Sequence, residues 1–414
     1  MIRFIHTADI HLGVENYGII DQKTGINSRL LDFNHALYQC IQYAINTKVD
    51  FFLFCGDAYK TATPTPTQQK LLLNNFLQLY NAKIPVVIII GNHDNPLSFG
   101  KVHALDLFGD LPLDGFHVIS KPQHITLNTA HGPVAIVGIP WPTKASCALN
   151  NHALTQQQVN QHITSTITAI IDDLAREIDP KIPAILAGHL TVSSGVFSGS
   201  EKRAIHGNDP TFLPSQLAKK PFAYVALGHL HRHQVLNKTD GPPLVYAGSL
   251  ERIDFGERND HKCFCEVTLA CASEKFWTAA MKSITVNTRP FVQIDLKINE
   301  HITDQTAYVL SELKNYALTN TIVKITYELA TGVKDRLDIK AIQQACAHAH
   351  YVAGIQAIRH IQHRERRSNA HIDMDLQSLL QEYFKQKPAL NERRESLLEK
   401  IMALKQELEL PYYE

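Results

Sequence analysis

Five short blocks of Asp, His and Asn each follow an apolar run in this chain. They are Asp9-Ile10-His11, Gly56-Asp57, Gly91-Asn92-His93-Asp94, Gly188-His189 and Gly228-His229-Leu230-His231. Carboxylate, amide and imidazole groups form an oxygen and nitrogen ligand set that suits manganese, iron, zinc or magnesium. A carboxylate such as Asp57 can bridge two ions, and two ions about 3.5–4 Å apart can bind both the attacking and the leaving oxygen of a phosphate ester. The blocks therefore predict a two-metal centre for phosphoester hydrolysis.

His93 stands between a candidate ligand, Asn92, and a second acid, Asp94. If Asn92 binds metal, His93 lies near the substrate phosphate, where an imidazole can act as a general acid or stabilise charge. Asp94 is then expected to orient that imidazole. A single histidine at a strand end is usually a structural, hydrogen-bonded residue, and that interpretation is preferred for four others, His6, His35, His103 and His233. For the five blocks together, the ordered pattern favours metal binding.

Strand-like runs precede all five blocks and must position them. The runs are Ile2–Ile5, Phe51–Phe54, Val86–Ile90, Ala184–Leu186 and Tyr224–Leu227. Helical spacing appears between them, over Asn34–Asn46 and Gln68–Tyr80. Apolar runs separated by helices predict a buried sheet covered by helices, which is an α/β fold. Sites in such folds lie beyond the carboxyl ends of the strands, so the five blocks are expected to meet there.

Length and composition set broad limits on the class of protein. The chain has 414 residues, enough for two or three domains, and its 40 basic residues balance 40 acidic ones. Bulk charge therefore does not indicate nucleic-acid binding, although local patches can provide it. Seven scattered cysteines predict reduced thiols. We expect a soluble cytoplasmic protein, because the sequence has no signal peptide and no apolar run near the ~20 residues of a membrane span.

The pattern along the chain predicts three parts, which are residues 1–285, 286–368 and 369–414. The first carries all five blocks. The second alternates short strands and helices without a ligand-like block, as a smaller α/β domain would. The third is rich in helix formers, and Leu397, Ile401, Leu404 and Leu408 form one apolar stripe. Such a stripe packs either on its own domain or on a partner.

The five blocks resemble the signature of the calcineurin-like metallophosphoesterases, which is Asp-x-His, Gly-Asp, Gly-Asn-His-(Asp/Glu), Gly-His and Gly-His-x-His. Within that family, most of the chain is similar to nuclease subunits of the SbcCD type. The segments that carry this likeness are His6-Thr7-Ala8-Asp9-Ile10-His11-Leu12-Gly13, Gly188-His189-Leu190-Thr191, Ala226-Leu227-Gly228-His229-Leu230-His231 and Tyr246-Ala247-Gly248-Ser249. The resemblance implies a layered αββα sandwich, a small α/β capping domain and a C-terminal helical tail.

The resemblance also implies roles for individual residues. One ion would be held by Asp9, His11, Asp57 and His231, and the other by Asp57, Asn92, His189 and His229, with Asp57 as the bridge. His93 would be the catalytic histidine, with Asp94 beside it. Relatives usually work with manganese, so two divalent ions are expected, with Mn²⁺ as the leading choice. Lys60 departs from the family pattern, because relatives often carry His or Asp there. It either contacts phosphate or is simply solvated.

DNA is the substrate that the resemblance implies, in repair, recombination and replication. Exonuclease action on double-strand ends and endonuclease action on hairpins or single strands are expected. Arg203 and Arg252 follow metal blocks closely and, with Lys60, are the candidate substrate-binding residues. The C-terminal helices would bind an SbcC-like coiled-coil ATPase, and a homodimer would form through the nuclease domain, around residues 14–29 and the helix that follows them. The alternatives are a phosphoesterase acting on small nucleotides or phosphoproteins, and a non-catalytic DNA-end scaffold.

Overall fold

The structure, a computed structural model, describes residues 1–96, 102–110, 112–144, 147, 154–199, 209–237, 241–273, 276–358, 375–385, 387, 390 and 393–409. Its strands are β1 Ile2–Thr7, β2 Phe51–Phe54, β3 Val86–Ile89, β4 Phe116–Ile119, β5 Gln123–Thr129, β6 Gly132–Ile139, β7 Ala184–His189, β8 Thr191–Val192, β9 Thr211–Phe212, β10 Phe222–Gly228, β11 Gln234–Val235, β12 Leu244–Tyr246, β13 Cys263–Ser273, β14 Phe276–Thr285, β15 Phe291–Ile298, β16 Ile322–Leu329 and β17 Tyr351–Ile358. Its helices are α1 Ser28–Thr47, α2 Pro66–Asn81, α3 Asp106–Asp110, α4 Gln156–Arg176, α5 Pro214–Leu217, α6 Gln305–Leu313, α7 Ile339–Ala345, α8 Leu376–Lys385 and α9 Arg394–Glu409. A short 3₁₀ helix spans Phe255–Glu257.

Two six-stranded mixed sheets form the main body. The first has the order β14-β13-β1-β2-β3-β4, and the second has the order β11-β12-β10-β7-β6-β5. Strands β1 to β4 run parallel to one another, as do β6, β7, β10 and β12. The carboxyl ends of β1, β2 and β3 therefore share one edge of the first sheet, and those of β7 and β10 share one edge of the second.

Alternation along the strands divides the apolar side chains between two faces. Phe4, Phe51 and Leu53 lie in the core cluster between the sheets. Ile5 and Phe52 face the opposite way and pack in the cluster that includes residues of α1 and α2. Helix α4 covers the second sheet through a third cluster. Because both faces of these strands are buried, their sequences are apolar runs, as expected of parallel strands.

The helices that flank the first sheet have clear start signals. Thr65 and Gln68 form a reciprocal capping box at α2, and Pro66 takes the first helical position. Asn27 caps α1 by accepting the backbone N–H of Arg29 at 2.8 Å. These signals fix where the chain leaves the sheet edge and turns back into each helix.

A separate sheet follows the main body. Strands β15, β16 and β17 are parallel, and their apolar residues pack with α6 and α7 in their own core cluster. We call β15 to β17 with α6 and α7 the small unit. It contacts the main body where Phe291 of β15 packs on Phe255, and just before β15 the Arg289 guanidinium meets the Asp32 carboxylate at 2.7 Å. Helices α8 and α9 follow and contact each other.

The layered α/β sandwich expected from the sequence is confirmed as two mixed sheets flanked by helices. All seven cysteines are described, and each is a thiol outside any disulfide bond, in agreement with the prediction of reduced thiols. The division at residues 285 and 368 stays a prediction, and the charged segment at 364–368 lies outside the described residues. Within the described part of the chain, no helix is both long and apolar enough to cross a membrane.

Candidate metal centre

The five blocks meet at one place, beyond the carboxyl ends of β1, β2, β3, β7 and β10. The backbone N–H of Asp9 donates to the Gly56 carbonyl at 2.9 Å, and that of His11 donates to the Asp57 carbonyl at 3.0 Å. From the other sheet, the backbone N–H of His229 reaches both carboxylate oxygens of Asp9, at 3.0 and 3.1 Å. The turns of the two sheets are therefore joined by hydrogen bonds into one site.

Left-handed backbone conformations occur at four of the candidate ligands. The φ angle is 53° at Asp9, 50° at His11, 59° at Asp57 and 102° at His229. Residues with a side chain rarely adopt such angles, and each costs on the order of 1–3 kcal/mol. The four strained residues all direct their side chains into the same site. Backbone strain that is concentrated at one site is typical of functional residues.

Two glycines allow the turns to approach closely. A Cβ on Gly91 would lie 2.1 Å from Oδ1 and 2.4 Å from the backbone nitrogen of Asp57. A Cβ on Gly228 would lie 2.0 Å from the Cys55 carbonyl oxygen. Both contacts are far inside van der Waals range, so only glycine fits at these positions.

Asp9, His11 and His231 form the first group of candidate ligands. Their donor atoms all lie within 4.8 Å of one another, and the side chains are buried. The Nε2 atoms of His11 and His231 are 3.0 Å apart, while Nδ1 of His231 lies 2.9 Å from Oε1 of Glu257. If His231 donates from Nδ1 to Glu257, its Nε2 lone pair faces His11. Two such nitrogens repel each other unless a proton or a metal ion lies between them, so the group fits a cation.

Asp57, Asn92, His189 and His229 form the second group. Oδ1 of Asn92 lies 2.9 Å from Nε2 of His189 and 3.1 Å from Nδ1 of His229. Oδ2 of Asp57 lies 3.4 Å from Nε2 of His189 and 3.7 Å from Nε2 of His11. Asp57 is therefore within reach of both groups, as a bridging carboxylate must be.

The electrostatics of the site favour a bound cation. Burial raises the pKa of Asp9 to about 7, because a carboxylate shielded from water resists ionisation. Burial acts in the same direction on Asp57, but the charges of His189 and His11 outweigh it and hold the pKa of Asp57 below its ordinary value. Burial lowers the pKa of His189, yet Asp57 raises it to about 9 overall. These carboxylates need positive charge beside them, and a divalent ion would supply it.

His93 lies at the open side of the site. Its side chain is exposed, its ring centroid is 4.9 Å from that of His11, and its backbone N–H donates to Oδ1 of Asp57 at 2.9 Å. Nδ1 of His93 donates to the backbone carbonyl of Lys60 at 2.8 Å. The contact that orients the imidazole is thus a backbone carbonyl, which differs from the expectation that Asp94 orients it. The Lys60 side chain is exposed beside this site.

Asp94 is buried beneath the turn that carries Asp57. Its carboxylate accepts the backbone N–H groups of Asp57 at 2.8 Å, Ala58 at 3.0 Å, Gly91 at 3.1 Å and Tyr59 at 3.3 Å. Four donors on one carboxylate satisfy N–H groups that would otherwise be buried without a partner. Asp94 therefore fixes the backbone of the second and third blocks.

Two acids outside the five blocks support the site, and the sequence did not point to them. Oε1 of Glu257 contacts His231, and its Oε2 accepts from Nζ of Lys262 at 2.7 Å. Oδ2 of Asp209 lies 3.2 Å from Nε2 of His229. Burial raises the pKa of Glu257, but Lys262 and His231 outweigh it and hold that pKa below its ordinary value. Neither acid belongs to a motif or a strand-end run, so no sequence signal marked them.

Trp141 was also missed. It follows β6, and its backbone N–H donates to the Ile90 carbonyl at 2.9 Å. Its ring centroid lies 4.7 Å from that of His229 and 6.1 Å from that of His189. The indole thus covers one side of the second ligand group, and an apolar cover of this kind limits the access of water to a metal site.

The predicted substrate-binding arginines have different outcomes. The Arg252 guanidinium donates to the carbonyls of Arg258 at 3.3 Å and Asp260 at 3.2 Å, and to the Thr288 hydroxyl. These contacts hold the chain between the main body and the small unit, and a role of Arg252 in substrate binding stays a prediction. Arg203 lies outside the described residues.

The chain is similar to known proteins in sequence and in fold. The sequence profile of the calcineurin-like phosphoesterases matches residues 2–233. The D subunit of the nuclease SbcCD of Bacillus subtilis (strain 168) is 27% identical over 256 residues, which is 60% of this chain and 63% of that relative. The crystal structures of TT1561 of Thermus thermophilus and of a dimetal phosphatase from Danio rerio are 12% and 10% identical, with TM-scores of 0.38 and 0.37. Each match covers 69% of this chain and 99% of the other.

Proposed function

The chain belongs to the calcineurin-like phosphoesterase family, and from that premise we propose that it is a metal-dependent DNA nuclease that works with an SbcC-like coiled-coil ATPase. It hydrolyses phosphodiester bonds, as an exonuclease at double-strand ends and as an endonuclease on hairpins and single strands. Its place is in DNA repair, recombination and replication. The broader class, a metallophosphoesterase hydrolase, follows from the family and from the buried cluster of His and Asp donors.

One observation carries the two-metal proposal. Oδ2 of Asp57 lies within 3.4 Å of His189 and 3.7 Å of His11, which belong to different ligand groups. Asp9, His11, Asp57 and His231 would hold one ion, and Asp57, Asn92, His189 and His229 the other. Two divalent ions bound there, with Mn²⁺ as the proposed metal, would activate a water molecule and neutralise charge on the phosphate. The oxygen and nitrogen donor set accepts manganese.

His93 is the proposed catalytic histidine. Its Nδ1 is held by the Lys60 carbonyl, which fixes the ring and places the proton on Nδ1 in the neutral form. In the protonated form, Nε2 gains a proton that it can donate to the departing sugar oxygen. The exposed Lys60 side chain belongs to the residue whose carbonyl holds His93, and its ammonium group can contact a non-bridging phosphate oxygen. Asp94 contributes indirectly, because it holds the turn that carries Asp57.

DNA as the substrate is supported by the similarity to a nuclease subunit. That match spans less than two thirds of the relative's length, so its activity and its partners are carried over only as a proposal. The same holds for the cellular role.

The C-terminal helices are the proposed docking site for the ATPase. Leu379 and Tyr383 of α8 and Leu404 of α9 are exposed apolar side chains on helices that contact each other. Exposed apolar side chains of this kind are typical of a partner surface. Leu379→Glu and Leu404→Glu together should abolish co-purification with the ATPase and leave Mn²⁺-dependent hydrolysis by the isolated chain unchanged. Binding at the wild-type level would contradict the assignment.

The proposed homodimer surface lies near α1. Ile19, Ile20 and Tyr38 are large apolar side chains that are exposed on this side of the main body. Ile20→Glu is expected to shift the chain from dimer to monomer in analytical ultracentrifugation, because it places a charge in an apolar interface. A wild-type chain that is monomeric at all concentrations would refute this surface.

The function is tested with metal-free protein given Mn²⁺ and an end-labelled duplex or a hairpin oligonucleotide. Wild type should cleave both. His93→Ala should lose about 10²- to 10⁴-fold of the rate, and Asp57→Ala should lose cleavage together with metal binding. His301→Ala, which removes an exposed histidine of the small unit, is the matched control and should cleave as wild type does.

Two results would overturn parts of the proposal separately. If wild type leaves DNA intact even with its ATPase partner, yet hydrolyses bis(p-nitrophenyl) phosphate, the nuclease function is wrong and a phosphoesterase for smaller substrates remains. If His93→Ala and Asp57→Ala cleave as well as wild type, the assignment of the site is wrong. Binding of DNA ends without any hydrolysis would favour a scaffold.

A further inference from the structure

We infer that Glu257 and Asp209 are positioning residues, each of which fixes one histidine of the Gly228–His231 block and thereby sets the affinity of a different metal ion. Glu257 acts through His231 on the ion of the first ligand group. Asp209 acts through His229 on the ion of the second. The inference rests on the proposed two-metal centre and adds two residues to it.

The two histidines present opposite ring nitrogens to the centre. His231 places Nε2 toward His11 at 3.0 Å, and its Nδ1 meets Glu257 at 2.9 Å. His229 places Nδ1 toward Asn92 at 3.1 Å, and its Nε2 meets Asp209 at 3.2 Å. In each case the carboxylate contacts the nitrogen that does not face the ligand group.

A carboxylate in this position determines which nitrogen carries the proton. The acid accepts the ring N–H, so the opposite nitrogen keeps its lone pair for the metal. It also fixes the orientation of the ring and raises the basicity of the ligand nitrogen. For His231 this predicts a proton on Nδ1, and for His229 a proton on Nε2. The two histidines of the Gly228–His231 block therefore need different tautomers. Glu257 selects the tautomer of His231, and Asp209 selects that of His229.

The two acids differ in their surroundings. Glu257 is fully buried, and besides His231 it accepts from Nζ of Lys262 at 2.7 Å and from the backbone N–H of Ile253 at 3.1 Å. Nζ of Lys262 also donates to the Ser249 hydroxyl at 2.7 Å, so the pair is held in a hydrogen-bonded network. Burying a charge is tolerated only with such compensation.

Asp209 has a more open setting. Its side chain is 16% exposed, and besides His229 it accepts from the Thr191 hydroxyl at 3.4 Å. It lines a groove of about 720 Å³ together with polar residues of α4 such as Gln161 and Thr164. Because Asp209 touches solvent, replacing it should alter the second ion site without unfolding the protein.

Metal affinity is the measurement that tests the inference, with Mn²⁺ as the probe and isothermal titration calorimetry as the readout. Asp209→Asn is expected to weaken one of two binding events by about 10- to 100-fold, the usual effect of removing such a partner. Glu257→Gln alone leaves Lys262 buried without its acid and can fail to fold. The double variant Glu257→Gln/Lys262→Met removes both charges and should weaken the other binding event by a similar factor.

A His11→Ala background separates the two ions. In that background the first ion site is already disabled, so Glu257→Gln/Lys262→Met should add little, while Asp209→Asn should still weaken the remaining event. Asp50→Asn is the matched control, because Asp50 pairs with Nδ1 of His131 at 2.7 Å at the amino end of β2, away from the centre. It should leave both Mn²⁺ affinities unchanged.

A second readout does not depend on metal. Long-range ¹H–¹⁵N spectra of the metal-free protein should show His231 protonated on Nδ1 and His229 on Nε2, and Asp209→Asn should weaken the preference of His229 alone. Wild-type affinity in both variants, or the opposite tautomers, overturns the inference while the two-metal centre stands. If wild type itself binds no Mn²⁺, the proposed centre fails and the inference fails with it.

Discussion

Substitution of Gly91 by alanine tests how closely the turns of the centre must approach. The new Cβ would lie 2.1 Å from Oδ1 and 2.4 Å from the backbone nitrogen of Asp57, about 1 Å or more inside the ~3.5 Å of an ordinary contact. Neither atom is free to move. The Asp57 N–H is held by Asp94 at 2.8 Å, and Oδ1 accepts the His93 N–H at 2.9 Å. The Asp57 carboxylate, the proposed bridge, must therefore shift by roughly the overlap.

Gly91→Ala is expected to lower both the stability and the activity of the protein. Overpacking a tightly filled site costs about 1–3 kcal/mol of unfolding free energy. A shift of about 1 Å in a catalytic group lowers activity by about 10²-fold. The stability change is measured by urea unfolding without metal, and the activity by hydrolysis of bis(p-nitrophenyl) phosphate with Mn²⁺.

Gly109→Ala is the matched control. There the nearest atom to an added Cβ is Cγ2 of Val118 at 3.6 Å, an ordinary contact, and the glycine lies in α3. Alanine at this helical position is expected to be stabilising by about 0.5–1 kcal/mol at most, with wild-type activity. If Gly91→Ala binds Mn²⁺ and hydrolyses the ester as wild type does, the close approach of the Gly91 and Asp57 turns is not what positions the bridge.

Three further outcomes are expected. Burial lowers the pKa of His6 from 6.5 to about 3, so below pH 6.5 the unfolded chain binds a proton that the folded chain excludes. The free energy of unfolding then falls as the pH drops toward 3, by about 2 kcal/mol at pH 5, and His6→Gln should lose this part of the pH dependence in urea unfolding at pH 7.5 and 5. Asp94→Asn should lower the melting temperature of the metal-free protein, because each mispaired buried N–H costs about 1–3 kcal/mol. His93→Gln should lower kcat and leave the melting temperature unchanged. The reverse pattern would make Asp94 the catalytic residue and His93 the structural one. Mn²⁺ at about 100 times its dissociation constant should stabilise wild type by about 2.7 kcal/mol in thermal unfolding, and no shift would argue against a folded-state metal site.

The position of the centre could be predicted from sequence because of a property of parallel strands. Apolar runs that end in Gly followed by Asp, Asn or His mark carboxyl ends, and these ends share an edge. The strand at Phe51–Phe54 was predicted with the bounds that the structure has. The beginning of α1 was predicted at Asn34, whereas the Asn27 cap starts the helix at Ser28, and Leu30 and Phe33 already belong to its buried apolar face.

Other features depend on tertiary pairing and left no local signal. The hairpin of β13 and β14 joins the first sheet through antiparallel pairing of β13 with β1. The periodicity of the sequence does not indicate which strands pair. Glu257 reaches His231 across 26 positions of sequence, from a 3₁₀ helix without a motif. The role of Asp94 was misread for a related reason, since its four N–H partners belong to turns that only the folded backbone brings together.

The stoichiometry of Mn²⁺ binding tests the central claim most directly. Metal-free wild type titrated with Mn²⁺ should bind two ions per chain, because Asp57 reaches both ligand groups. Asp57→Asn removes the bridging charge and should weaken both binding events together, while the Asp50→Asn control keeps both. A wild-type stoichiometry of one or none, or two undiminished ions in Asp57→Asn, would contradict a carboxylate-bridged two-metal centre.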